Sequence, residues 1–164
     1  MLFVSFLLSG ASVSAQATTD SAFRRVQARG TKVMGVDQLT ARHEFDLLPD
    51  GARISLRAAP NDSAGVVAIR AHFRDIARKF ARGNFAAPGM VHDRTVPGTR
   101  TMTAKRRAIA YRMHELPRGA ELWITTEDST ALAAIREFVE FQRADHRAGG
   151  MDSTMHRMHH PAKP

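Results

Sequence analysis

The sequence predicts an α+β domain: two ββα halves forming a four-stranded antiparallel sheet, with two helices packed on one face. Three observations predict it. Leu48-Pro49-Asp50-Gly51-Ala52 returns as Leu116-Pro117-Arg118-Gly119-Ala120, 68 residues on. A β-like segment and then a helix-like segment follow each copy. Ala68-Ile69-Arg70 of the first helix reappears as Ala134-Ile135-Arg136, 66 residues on, so the second strand-to-helix connection is two residues shorter. One repeated plan with matching apolar faces leads to one shared core and a pseudo-twofold.

The chain opens on Leu2-Phe3-Val4-Ser5-Phe6-Leu7-Leu8, apolar but too short to span a bilayer. Val13-Ser14-Ala15 has small residues at signal-peptidase spacing, so residues 1–15 are expected to be a signal peptide, cleaved after Ala15 or after Ala17. No Lys or Arg precedes the apolar run, and a buried N-terminal helix is the competing reading. The expected location is periplasmic or secreted, with no transmembrane span in the mature chain. Residues 20–33 form a basic N-terminal segment. Asp20 and Ser21 can cap a short helix carrying Phe23 and Val26, with Gly30 ending it.

Residues 34–149 are read as the single ββαββα domain. The first strand runs from Thr40 to Leu47. His43, Phe45 and Leu47 alternate with Arg42, Glu44 and Asp46, which puts His43 on the apolar face. Pro49-Asp50-Gly51 turns the hairpin, and Ile54 and Leu56 continue that face. Pro60-Asn61-Asp62-Ser63 caps the first helix. Its stripe is Val66, Ile69, Phe73, Ile76 and Phe80, and Gly83 stops it. Residues 84–104 show no sustained period, and so long a connection is expected to be functional or mobile. In the second hairpin Ile109, Tyr111, Met113, Leu122 and Ile124 face inward. Trp123 faces the other way, to be covered by the long connection or a second subunit. Asp128-Ser129 caps the last helix, Thr130 to Arg147, and Gly149-Gly150 ends it. Residues 150–164 form a His/Met tail that cannot build a core and is expected to be disordered.

The repeat breaks at one place. The second helical stripe starts with Leu132, Ile135 and Val139 and should continue at 142 and 146. The first helix has Ile76 and Phe80 there; the second has Gln142 and His146. Polar groups at core positions need partners. His43 lies on the same inward face, where its twin strand has Tyr111. His72 edges the first stripe, and His92 sits in the long connection, able to fold over. Three readings stay open: a structural hydrogen-bond cluster of Tyr111, Gln142, His43 and His146; a metal site of His43, His72, His92 and His146, with Met102 or Met113; and catalysis with a histidine as general base. Neutral imidazole suits copper, zinc and nickel, and thioether favours Cu(I). No serine elbow, HExxH, Walker loop or paired carboxylates support a reaction, so no catalytic residues are assigned. In the tail Met151, Met155, His156, Met158, His159 and His160 are further metal candidates, like the Met/His runs of exported copper-handling proteins. An inert solvated tail is the alternative.

The formal net charge is +8 and cysteine is absent. In an exported chain this charge points to anionic headgroups rather than nucleic acid.

The chain resembles a family of small bacterial proteins, often exported, whose function is not established. The matching pieces include Arg29-Gly30, Met34-Gly35, Asp37-Gln38, His43, His72, His92-Asp93 and Pro97-Gly98 with Met102. Further along they include Arg118-Gly119-Ala120, Thr125-Thr126 and Phe141-Gln142 with His146. The resemblance covers residues 24–149. Some members are labelled aspartate carbamoyltransferase. This chain is far shorter than that enzyme and lacks its Ser-Thr-Arg-Thr phosphate-binding motif, so the resemblance implies one domain and points at the same histidines without supplying a reaction.

The functional expectation is a small exported binding module whose cofactor is a transition metal, copper first. The alternative is a non-enzymatic interaction or structural domain, a homodimer or one docking on an anionic surface.

Overall fold

The computed structural model describes residues 10–37 and 40–149. The elements are α1 (Gly10–Met34), β1 (Arg42–Leu48), β2 (Gly51–Arg57), α2 (Ser63–Ala81), α3 (Ala86–His92), α4 (Thr99–Ala104), a 3₁₀ turn (Arg106–Ala108), β3 (Ile109–Leu116), β4 (Gly119–Thr126) and α5 (Ser129–Asp145). The four strands form one antiparallel sheet in the order β1-β2-β4-β3. Both long helices cover one face, giving the two ββα halves.

The pseudo-twofold runs between the central strands and is visible in single bonds. Ala58 N–H donates to the Arg118 carbonyl at 2.8 Å, and Thr126 N–H donates to the Asp50 carbonyl at 2.9 Å. Each donor and acceptor of one bond lies 68 residues from its counterpart in the other. The repeated glycines have the same job. A Cβ on Gly51 would lie 1.8 Å from the Ile124 carbonyl oxygen, and one on Gly119 would lie 2.0 Å from that of Leu56. The helix starts also match. The Asp62 carboxylate caps α2 by accepting from Gly65 N–H at 2.8 Å, and Asp128 caps α5 by accepting from Ala131 N–H at 2.9 Å.

The halves interlock. Helix α2 packs on β3 and β4, whereas α5 packs chiefly on β1 and β2. Each half thus covers the strands of the other. The core between them holds Phe45, Leu56, Ile69, Phe73, Phe80, Leu122, Ile124, Ile135 and Phe138, all at 2% exposure or less. The opposite face of the sheet is polar. Arg53 bonds Asp46 through Nε and Nη2 at 2.8 and 2.6 Å, and Arg57 reaches Glu44 at 2.9 Å. Trp123 lies on this face, half-buried, and its indole N–H donates to Glu121 at 2.8 Å. The long connection packs on the helix side, so it does not cover Trp123.

Three other expectations change. Helix α1 does not end at Gly30 but continues to Met34. Val26, Gln27, Gly30 and Met34 form its buried stripe against the domain, and the missing Cβ of Gly30 allows close packing there. Gly35, at φ 72°, makes the exit. The proposed cleavage points, Ala15 and Ala17, lie inside this helix, while residues 1–9 lie outside the described residues. Residues 84–104 are not an irregular connection but carry α3 and α4, each too short to show a helical period in sequence. Finally, α5 closes at His146; Arg147 takes φ 49°, and Gly149 forms a parallel bridge to Glu44 on the edge of β1. The His/Met tail lies outside the described residues. Among the described residues no helix is long and apolar enough to cross a membrane.

Candidate functional site

The break in the repeat becomes a cavity. His146 closes the C-terminal end of α5, and the apolar alternation of β1 places His43 beneath it. Their ring centroids are 5.3 Å apart. Phe45 lies against both, at 4.3 Å from the His43 ring and 5.8 Å from His146. The last residue of α3 is His92, whose ring centroid is 5.0 Å from that of His146. Arg29 of α1 holds α3 in place by donating to the Val91 carbonyl at 2.6 Å. Arg143 ties α5 to β1 through two bonds to the Phe45 carbonyl, at 3.1 and 2.7 Å.

These histidines, with His72 on α2, line one cavity of about 60 Å³ between the helices and the sheet. Its other walls are almost wholly apolar and include Val33 and Met34 from α1. A few convergent polar groups in an apolar cavity are the usual anatomy of a binding site. Met102, fully buried in the core, and Met113, packed against it from β3, do not line this cavity. The tail candidates Met151, Met155, His156, Met158, His159 and His160 lie outside the described residues.

The polar atoms are unevenly satisfied. His92 is engaged at both nitrogens: Nδ1–H donates to Asp145 at 2.5 Å, and Nε2 meets the side-chain amide of Gln142. By contrast, Nδ1 of His43 and Nδ1 of His146 are buried without a hydrogen-bond partner. Part of the His43 residue reaches solvent, yet its Nδ1 is covered. Leaving such a group unpaired costs roughly 1–3 kcal/mol. The Tyr111 hydroxyl is likewise unpaired, but it lies against Phe80 rather than in the cavity.

Burial also sets the charge. It lowers His146 to about 4, with nearby His92 adding to the effect and Asp145 opposing it. It lowers His72 to about 4, opposed by Asp75 and assisted by Lys79. His43 sits well below the ordinary histidine value, through burial first and then the neighbouring His146, His72 and His92. At neutral pH His43, His72 and His146 are uncharged rings, each with a lone pair.

No family model, curated protein or solved structure matches this chain. The family resemblance read from the sequence gains no support from these comparisons.

Sequence reasoning named the four histidines and Gln142. It missed Asp145. The signal was available, because Gln142 and Asp145 are spaced i, i+3 on α5 and so grip one partner from the same face. Among the described residues no group of three or more His or carboxylate side chains is already arranged around a metal ion. The arrangement instead offers two free, neutral imidazole nitrogens in an apolar cavity, with a third imidazole beside them held by Gln142.

Proposed function

We propose that this chain is a small exported binding module that takes a transition metal ion, copper first, into the histidine-lined cavity through His43 and His146. One observation carries this reading: two buried Nδ1 atoms, one from each half, are unpaired and line the same cavity. Uncharged imidazole is the form that ligates, and neutral donors in apolar walls suit Cu(I) better than a strongly hydrated dication. The test is copper titration of full-length, untagged protein beside the His43→Ala/His146→Ala double variant. The double variant should bind one equivalent less. Copper that it still binds belongs elsewhere, the Met/His tail first. Equal stoichiometry and affinity in the two proteins would overturn the reading.

A second reading rests on different residues. Arg78 and Arg82 at the end of α2, and Arg106 and Arg107 in the adjoining 3₁₀ turn, are exposed and make no ion pair among the described residues. They suit docking on an anionic lipid surface. Sedimentation with anionic vesicles should then weaken steeply with salt and ignore His43→Ala.

A further inference from the structure

His92 is the polar group of the cavity whose partners look least like those of a structural histidine. A structural ring needs its hydrogen bonds and nothing else. This one has a carboxylate on one nitrogen and a movable amide on the other, and its ring is 5.0 Å from that of His146. With the proton held on Nδ1 by Asp145, Nε2 carries the lone pair. The Gln142 amide, turned to present its N–H, donates to that lone pair. A carboxylate behind one nitrogen of an imidazole is the arrangement that orients a metal-binding histidine and raises its basicity.

The spacing agrees. With metal–nitrogen bonds of about 2.0 Å, two imidazoles on one ion at tetrahedral or trigonal angles have ring centroids roughly 5–5.5 Å apart. His43 to His146 is 5.3 Å and His92 to His146 is 5.0 Å, so His146 stands between two rings at ligand spacing. What keeps His92 out of the set is Gln142, which is buried and lines the same cavity.

We infer that Gln142 is a displaceable latch on a third ligand: the amide leaves Nε2 of His92 as the ion arrives, and His92 joins His43 and His146, held in aim by Asp145. This rests on the metal reading of the cavity. It makes loading a competition between the ion and an internal amide. The loaded site is then a three-imidazole site with a position open to an exogenous ligand, the donor set of copper and zinc centres. Asp145 acts here as a positioning residue.

The experiment is competition of the full-length protein against a chromophoric copper chelator, with Gln142→Leu as the main variant. Leucine is close to Ile76, which fills the equivalent position on α2, so the fold has a precedent for it. Removing the latch should tighten copper binding at least ~10-fold, an effect that lost packing cannot produce. Adding His92→Ala should abolish the gain. Asp145→Asn in the Gln142→Leu background should weaken binding about 10–100-fold. If the wild type binds copper through His43 and His146 but Gln142→Leu binds no tighter, or the gain survives His92→Ala, the latch is wrong and the two-histidine reading stands. If the wild type loses no copper on mutation of His43 and His146, that reading itself has failed. X-ray absorption on copper-loaded wild type gives a check independent of variant folding: three imidazole ligands are expected, and two would overturn the inference.

Discussion

The molecule has two equivalent corners that differ in chemistry. Where α2 ends, Phe80 meets Tyr111 with ring centroids 5.9 Å apart, and Phe85 stacks on Phe80 at 4.5 Å. Where α5 ends, the pseudo-twofold replaces Phe80 by His146 and Tyr111 by His43, 5.3 Å apart, with His92 as the third ring. The backbone is the same plan in both places. One corner is sealed by aromatic carbon; the other holds polar nitrogens that the fold does not itself satisfy. A stretch of core can therefore be exchanged for a site without altering the architecture, provided the equivalent stretch in the other half carries the packing.

The first way to break this comparison is to weaken the sealed corner. Phe80→Ala should cost about 3–5 kcal/mol in urea unfolding, the range for a fully buried aromatic. His146→Ala should cost clearly less. Equal losses would mean that the histidine corner is core too.

Acid separates the corners next. His146 and His72 have folded values of about 4 against an ordinary 6.5, so the unfolded chain binds more protons between those limits. Stability should be full above pH 6.5 and fall as pH drops toward 4, by up to about 1.4 kcal/mol per pH unit for each ring. His146→Phe should remove one ring's share of that slope in metal-free protein. An unchanged slope in urea melts at pH 4.5–6.5 would show that His146 does not sense its burial.

The shared backbone gives a control. Gly51→Ala and Gly119→Ala push a Cβ into equivalent carbonyls, and each should cost about 1–3 kcal/mol or more. Their losses should agree closely; a large difference would show that the central seam is less symmetric than its bonds.

The smallest effect is expected from copying one corner onto the other. Gln142→Ile with His146→Phe should change stability by less than ~1.5 kcal/mol while removing cavity copper. A collapse on this change would mean that the polar cluster itself holds the fold.

Much of this was legible in residues 48–52 and 116–120, because one hairpin turn repeated with the same spacing fixes the relation of two halves. The site was legible for the same reason: Gln142 and His146 stand out only beside Ile76 and Phe80. The rest depends on tertiary packing. The final turn of α1 persists past Gly30 because the chain is packed on one side there. His92 sits in a seven-residue helix with no readable period of its own, held by Arg29 from a distant part of the sequence. Which nitrogens would be left bare is a property of how three elements meet, and no one of them encodes it.

The twofold between β2 and β4 has an evolutionary consequence. A single ββα unit could build the same sheet only as a homodimer, the central seam being then the subunit interface. In such a dimer every substitution appears twice. Replacing the core phenylalanine by histidine would unplug both corners at once, with no intact half to carry the loss. Duplication and fusion into one chain lift that restriction. One copy keeps Phe80 and the packing; the other is free to drift to His146. The asymmetric histidine cluster is thus a feature that a covalently joined pair can acquire and its symmetric ancestor could not.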